Sequence, residues 1–292
     1  MKIKTPSFVL AVYAKGDPDA DKLALVLPGR LDTKDYVHMT SLVDFLSGLG
    51  YYAVSFDPPA SWESPGSPDN YTTTNYLKAV KELIKHFGQK PTLLAGHSRG
   101  GAVAALATAE NECVTGVVLI MASHGEPSPV SAKEQEKGYH ESTRDIPPGN
   151  IKTKGQKSFR LPLTYFEDGK KYNPSKTLQT FTKPKLLICG TYDNFFPPPK
   201  VKAVYEKLPS SIADFIVAMR SVSRSACAGF SASGVSLGSS DSCTKYRTSR
   251  SILSVPFTRA RSKDMSFSLV KLRSVDSRPQ LFRGGREFSQ PT

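Results

Sequence analysis

The sequence predicts an α/β fold, a doubly wound and mostly parallel sheet with helices on both faces. Three observations predict it. Short apolar runs alternate with stretches of helical periodicity, one such run passes through Gly96-His97-Ser98-Arg99-Gly100 straight into a small-residue helix, and a single long polar segment breaks the alternation.

Taken in order, Lys2 and Lys4 precede the apolar run Phe8 to Ala14, which faintly mimics a secretory signal but is barely long enough, so it reads as a first strand. Lys22 to Leu27 is a buried strand ending at Pro28-Gly29. Met39, Leu42, Val43, Leu46 and Leu49 then recur at helical spacing, and Gly50 stops that helix. Tyr51 to Phe56 is the next strand, followed by a loop rich in Pro, Ser and Asp from Asp57 to Asn70. A second helix carries Tyr76, Leu77, Val80, Leu83, Ile84 and Phe87 on one face. Thr92 to Ala95 enters the turn and Gly101 to Ala107 leaves it as a helix. Val114 to Met121 and Lys185 to Cys189 are further apolar strands, and Asp214 to Val217 is the expected last one. Right-handed crossovers between them build one domain.

Residues 1–123 and 184–217 form the expected core. Residues 124–183 are polar and interrupted by Pro127, Pro129, Pro147, Pro148, Pro162 and Pro174, and they read as an inserted lid over the strand carboxyl ends.

Composition narrows the function classes. Cysteines at 113, 189, 227 and 243 are too few for a disulfide-dense fold, and they show no metal-ligand spacing. No apolar run reaches membrane-spanning length, which predicts a soluble, cytoplasmic protein without a membrane partner. The net charge of +13 is concentrated: residues 218–292 hold 13 Lys and Arg against 4 acids, net +9. The remainder is close to balanced, so the core has no electrostatic footprint for nucleic acid.

Chemistry is carried by the turn. A serine between a strand and a helix is pushed clear of the sheet edge, Gly96 and Gly100 remove the Cβ atoms that would clash there, and the helix N-terminus favours developing negative charge. Ser98 is therefore the candidate nucleophile.

Pro28-Gly29-Arg30, Asp57-Pro58-Pro59, Gly96-His97-Ser98-Arg99-Gly100 and Gly190-Thr191-Tyr192-Asp193, in that order, resemble the α/β-hydrolase fold family up to about residue 217. The resemblance implies a serine esterase in which Ser98 attacks a carbonyl carbon, Asp193 orients a histidine, and the backbone N–H groups of Arg30 and Arg99 hold the oxyanion. Pro28-Gly29 stands where the family often has His-Gly. His97 is placed to brace the elbow beside Gly96 and Gly100 rather than to act as base. The implied substrate is a small-molecule ester, and neither cofactor nor metal is implied; oligomeric state is left open.

The family's base is a histidine after the last strand, yet no histidine follows His140. His124, at the entry to the insertion, is the candidate substitute, with an anchoring role as its alternative. From about residue 218 lysine nearly vanishes, and 18 of 75 residues are serine. This stretch reads as an irregular or disordered tail, either an out-of-frame ending in place of the family's own or a genuine basic arm with nucleic-acid contacts. The expected function is hydrolysis of a carboxylic ester through an acyl-serine, impaired by the missing histidine, with a catalytically silent binding module as the alternative.

Overall fold

A computed structural model describes residues 1–125, 129–148 and 155–209, and the backbone of 213–218. The expectations for residues 219–292, including the Ser/Arg-rich stretch, lie outside these described residues.

Eight strands form the main sheet: β1 (Lys2–Lys4), β2 (Val9–Lys15), β3 (Leu23–Leu27), β4 (Tyr52–Phe56), β5 (Thr92–His97), β6 (Val114–Ile120), then β9 (Lys185–Gly190) and β10 (Ala213–Ala218) beyond the hairpin β7 (Tyr139–Asp145) and β8 (Gln156–Pro162). Their spatial order is β1-β2-β4-β3-β5-β6-β9-β10. From β4 to β10 every neighbouring pair is parallel. β1 and β2 are antiparallel, because the links from β1 to β2 and from β2 to β3 are too short to hold a crossover helix.

Both faces of the sheet are covered, and β3 shows it residue by residue. Ala24 and Val26 face α1 (Val37–Gly48) through Met39, Val43 and Leu46. Leu23, Leu25 and Leu27 face the opposite layer, where α2 (Thr73–His86), α3 (Arg99–Ala107) and α7 (Pro198–Tyr205) pack. Leu49 departs from expectation. The helix ends at Gly48, Gly50 takes a left-handed φ of 80°, and Leu49 swings out to 51% exposure.

The described part of residues 124–183 has more regular structure than its prolines suggested. It holds α4 (Ala132–Lys137), the β7–β8 hairpin, α5 (Leu163–Gly169) and α6 (Pro174–Thr180). Two of the prolines sit where they do little harm, Pro174 opening α6 and Pro162 capping α5. The insertion is fastened to the loops at the sheet's carboxyl edge: Arg144 Nη2 donates to Arg30 O (2.7 Å), Tyr36 Oη to Asp145 O (2.8 Å) and Lys157 Nζ to Trp62 O (3.2 Å). Thr74 donates its N–H and hydroxyl to Asp168 (2.9 and 2.5 Å). Leu161, Tyr165 and Phe166 of the insertion share a small core with Leu31 and Tyr71.

Those edge loops are tied to one another by Asp57, which is fully buried. It accepts from Thr33 Oγ1 (2.8 Å), Lys34 N (2.9 Å) and Glu63 N (3.2 Å), with the buried Lys34 ammonium at 3.5 Å. Opposite charge and three donors make burial of that carboxylate tolerable.

The crossing of α3 over β3 leaves no room for side chains. A Cβ on Gly100 would stand 2.0 Å from Leu27 O, and one on Gly96 would stand 2.3 Å from Gly100 O, in each case against backbone that cannot step aside. Gly100→Ala is expected to destabilise the fold by about 3 kcal/mol or more. Gly48→Ala, with open space around it, is expected to be neutral or to gain about 0.5–1 kcal/mol. Urea unfolding of the two variants beside the parent checks both.

Candidate active site

Ser98 sits where β5 ends and α3 begins, with φ 51° and ψ −116°. That is a sparsely populated backbone region for a residue with a Cβ, at a cost of about 1–3 kcal/mol that the surroundings must hold in place. They do so through the backbone. Ser98 N donates to Ile120 O (2.9 Å), and Ser98 O accepts from Gly101, Ala102 and Ser123 N–H groups at 3.1, 3.2 and 3.2 Å. The side chain is half-buried at the carboxyl edge of the sheet.

Arg30 lies on the loop after β3, and its carbonyl is taken by Arg144. The next residue, Leu31, has φ 59° and gives its N–H to the Tyr71 hydroxyl (2.7 Å), while the Tyr76 hydroxyl donates to Pro28 O (3.1 Å). Two buried tyrosines thus hold both ends of the loop that carries Arg30. The Arg99 N–H, in the first turn of α3, has no acceptor within its own helix. The Arg99 side chain runs into the interior at 7% exposure, its guanidinium 4.4 Å from the Tyr71 ring centre, 4.9 Å from that of Tyr165 and 5.3 Å from that of Tyr76.

Asp193 lies in the turn after β9, two strands from the elbow in the sheet. Its N–H donates to Gly190 O (3.1 Å), and its Oδ1 accepts from Phe195 N (2.9 Å) and Phe196 N (3.0 Å). The Cys189 thiol is pushed up by burial and by the Asp193 charge, which puts that carboxylate near the end of β9.

His124 is buried at 7% exposure, and its Nδ1 has no hydrogen-bond partner. It follows Ser123, whose N–H reaches Ser98 O, so it is next to the elbow along the backbone. Burial lowers its pKa to about 4, leaving the ring neutral. No hydrogen bond among the described residues joins Ser98, His124 and Asp193 to one another.

His97 points into a different group. Its Nδ1 is 3.0 Å from Asp32 Oδ2, His38 Nε2 is 3.8 Å from the same oxygen, and the two imidazoles meet edge to face at 5.0 Å. Arg144 Nε stands 3.9 Å from Asp32 Oδ1. Burial pushes the Asp32 carboxyl up, but the bonds and charge of His38 and His97 outweigh it and hold it well below the ordinary carboxylate range. These are the three donors that could approach one metal ion among the described residues, lying within 4.8 Å of each other. The Asp32–His97 bond and the Arg144 cation already engage the carboxylate, so the group acts as a clasp between the elbow, the loop after β3 and the insertion. Sequence reasoning missed Asp32 and gave His38 no role. The three residues come from a loop, a helix and a strand end, and no spacing announces them.

A family model described as alpha/beta hydrolase fold matches residues 24–158. Among solved structures, Est1E from Butyrivibrio proteoclasticus with bound ferulic acid aligns with a TM-score of 0.59 at 16% identity, over 75% of this chain and 89% of that one. This chain is an α/β-hydrolase-fold protein. Mouse alpha/beta hydrolase domain-containing protein 10 aligns similarly, with a TM-score of 0.57 at 20% identity over 74% of this chain and 87% of that one. In sequence, the lysophosphatidylserine lipase ABHD12 of Danio rerio is 34% identical over 93 residues. That stretch is 32% of this α/β-hydrolase-fold chain and 24% of the relative, so most of the relative lies outside the match. Hydrolase chemistry fits this fold, and no helix among the described residues is long and apolar enough to cross a membrane.

The buried His124 makes stability depend on pH. Its ordinary value is 6.5 and its folded value about 4, so between these the unfolded chain binds a proton that the folded one refuses. Stability from this group is complete above the ordinary value and falls with pH until about 4, by about 2 kcal/mol between pH 7 and pH 5. His124→Gln is expected to remove that part of the acid sensitivity, read as the difference between the two proteins' urea midpoints at pH 7 and pH 5.

Proposed function

We propose that this chain is a serine hydrolase that opens carboxylic esters by acyl transfer to Ser98. The observation that carries the reading is the backbone of Ser98: a non-glycine residue at positive φ, on a strand-to-helix turn, presented at the sheet's carboxyl edge. A hydroxyl so placed can attack a carbonyl carbon. The oxyanion that forms would lie between the Arg30 and Arg99 N–H groups, where pre-aimed dipoles act with little reorganisation. The naming of the sequence relative as a lipase supports an ester rather than an amide.

Asp193 takes the role of the acid. Its two backbone N–H bonds use one carboxylate oxygen, and the other is available to an imidazole. In the family that imidazole follows the last strand, which among the described residues is β10, ending at Ala218 in register with Gly190. The sequence has no histidine beyond that point. His124 is the local candidate for the base, and its neutral ring can accept a proton, but it has no acid on Nδ1 to orient it. Residues 124–183 serve as the lid, fastened over the loops that flank the elbow. The activity follows as slow acylation with poor turnover, because loss of one triad member costs about 10⁴-fold or more in rate.

The missing orienting contact also favours a second reading, a hydrolase-fold module that binds a ligand without chemistry. A fluorophosphonate probe separates the two. Stoichiometric labelling that disappears in Ser98→Ala, together with a p-nitrophenyl acetate burst of about one product per chain and little turnover after it, is the expected result. An unlabelled parent chain, or equal labelling of the variant, leaves only the silent module.

A further inference from the structure

Arg99 presents a buried charge that has no partner among the described residues. The residue is 7% exposed, no hydrogen bond of ordinary geometry reaches Nε or either terminal nitrogen, and no carboxylate among the described residues pairs with it. Three ring faces surround the guanidinium. Such contacts are worth about 0.5–2 kcal/mol each, but they leave the guanidinium nitrogens without an acceptor of ordinary geometry among the described residues, and buried donors without acceptors are rare. A packing role alone would be filled at lower cost by an apolar side chain of similar volume.

The walls of this cage differ in kind. Tyr71 and Tyr76 are locked from the core side, one hydroxyl accepting from Leu31 N and the other donating to Pro28 O. The third wall, Tyr165, belongs to α5 of the insertion and is stacked on Tyr71 at 5.7 Å. Tyr165 is thus the one wall of the cage that stands on the insertion and not on the loops and helices packed against the sheet. Arg99 itself offers its backbone N–H beside Ser98, and an extended arginine side chain reaches about 6–7 Å from its Cα.

We propose that Arg99 binds an anionic group, carboxylate or phosphate, carried on the substrate a few bonds from its ester, and that Tyr165 covers the site until that group arrives. This assignment stands on Ser98 as nucleophile and names the substrate class. A planar guanidinium fork gives two parallel charge-assisted bonds to either anion, which a point charge does not.

The test is calorimetric titration of the full-length Ser98→Ala chain, which binds without turning over. The probes are monomethyl glutarate, 3-acetoxypropyl phosphate and, as the neutral ester, methyl butyrate. Both anionic esters are expected to bind about tenfold or more tighter than the neutral one. Adding Arg99→Met should bring the ratio to near one, and Arg99→Lys, which keeps the charge and loses the fork, should leave it in between. Equal affinity for all three, binding of none, or a preference that survives Arg99→Met overturns the assignment. Should Arg99→Met fail to fold, an unchanged ratio in Arg99→Lys does the same. Fluorophosphonate labelling of the parent reports on Ser98 and not on this ratio, so failure of the nucleophile and failure of the anion site are told apart.

Discussion

The contact between the first turn of α3 and the end of β3 is the constraint on which the rest depends. Backbone meets backbone there, Gly100 against Leu27, and a single methyl group would force them apart. Because the helix can come that close, the chain reverses within one residue, and that residue, Ser98, takes the positive φ. The strain is local, while its restraint comes from three strands: β5 before it, β6 through Ile120 O and the Ser123 N–H after it, and β3 beneath the helix. Ser98 is thus held at the sheet edge by backbone packing and not by its own side chain.

Around this elbow the loops are joined by two carboxylates with different tasks, Asp57 fully buried and Asp32 half-buried. Asp57 binds the loop after β3 to the loop after β4, neutralised by Lys34. Asp32 joins the elbow, through His97, to α1 and to Arg144 of the insertion. The second clasp gathers two imidazoles and a guanidinium around one carboxylate. The insertion is therefore not loosely appended. It shares an aromatic core with Leu31 and Tyr71, and its Arg144 closes on the carbonyl of Arg30, the residue assigned to the oxyanion.

How far the sequence could be read depended on the range of the interaction. β3 and β4 are short runs buried throughout, and β5, β6 and β9 are mostly apolar runs only partly exposed, so their composition alone marks them, and Gly96 and Gly100 mark the elbow because their neighbours leave no alternative. α1 and α2 show helical spacing, although Leu49 lay one residue past a helix end set by Gly50. The β7–β8 hairpin was hidden: its strands are half-buried to exposed and rich in charged residues such as Glu141, Arg144, Lys157 and Arg160, so they carry no apolar run that marks them, and they pair with each other.

By itself, the sequence determined the layered architecture and the serine at its strand-to-helix turn, and it placed an aspartate after a late strand, since each is a local pattern of burial or backbone geometry. Only the tertiary structure decided that His97 belongs to Asp32, that His124 is buried without an orienting acid, and that Arg99 runs inward among three tyrosines. Those relations join residues far apart in the chain. Their electrostatics depend on which groups are shut away from water together, a quantity that no spacing along the backbone encodes.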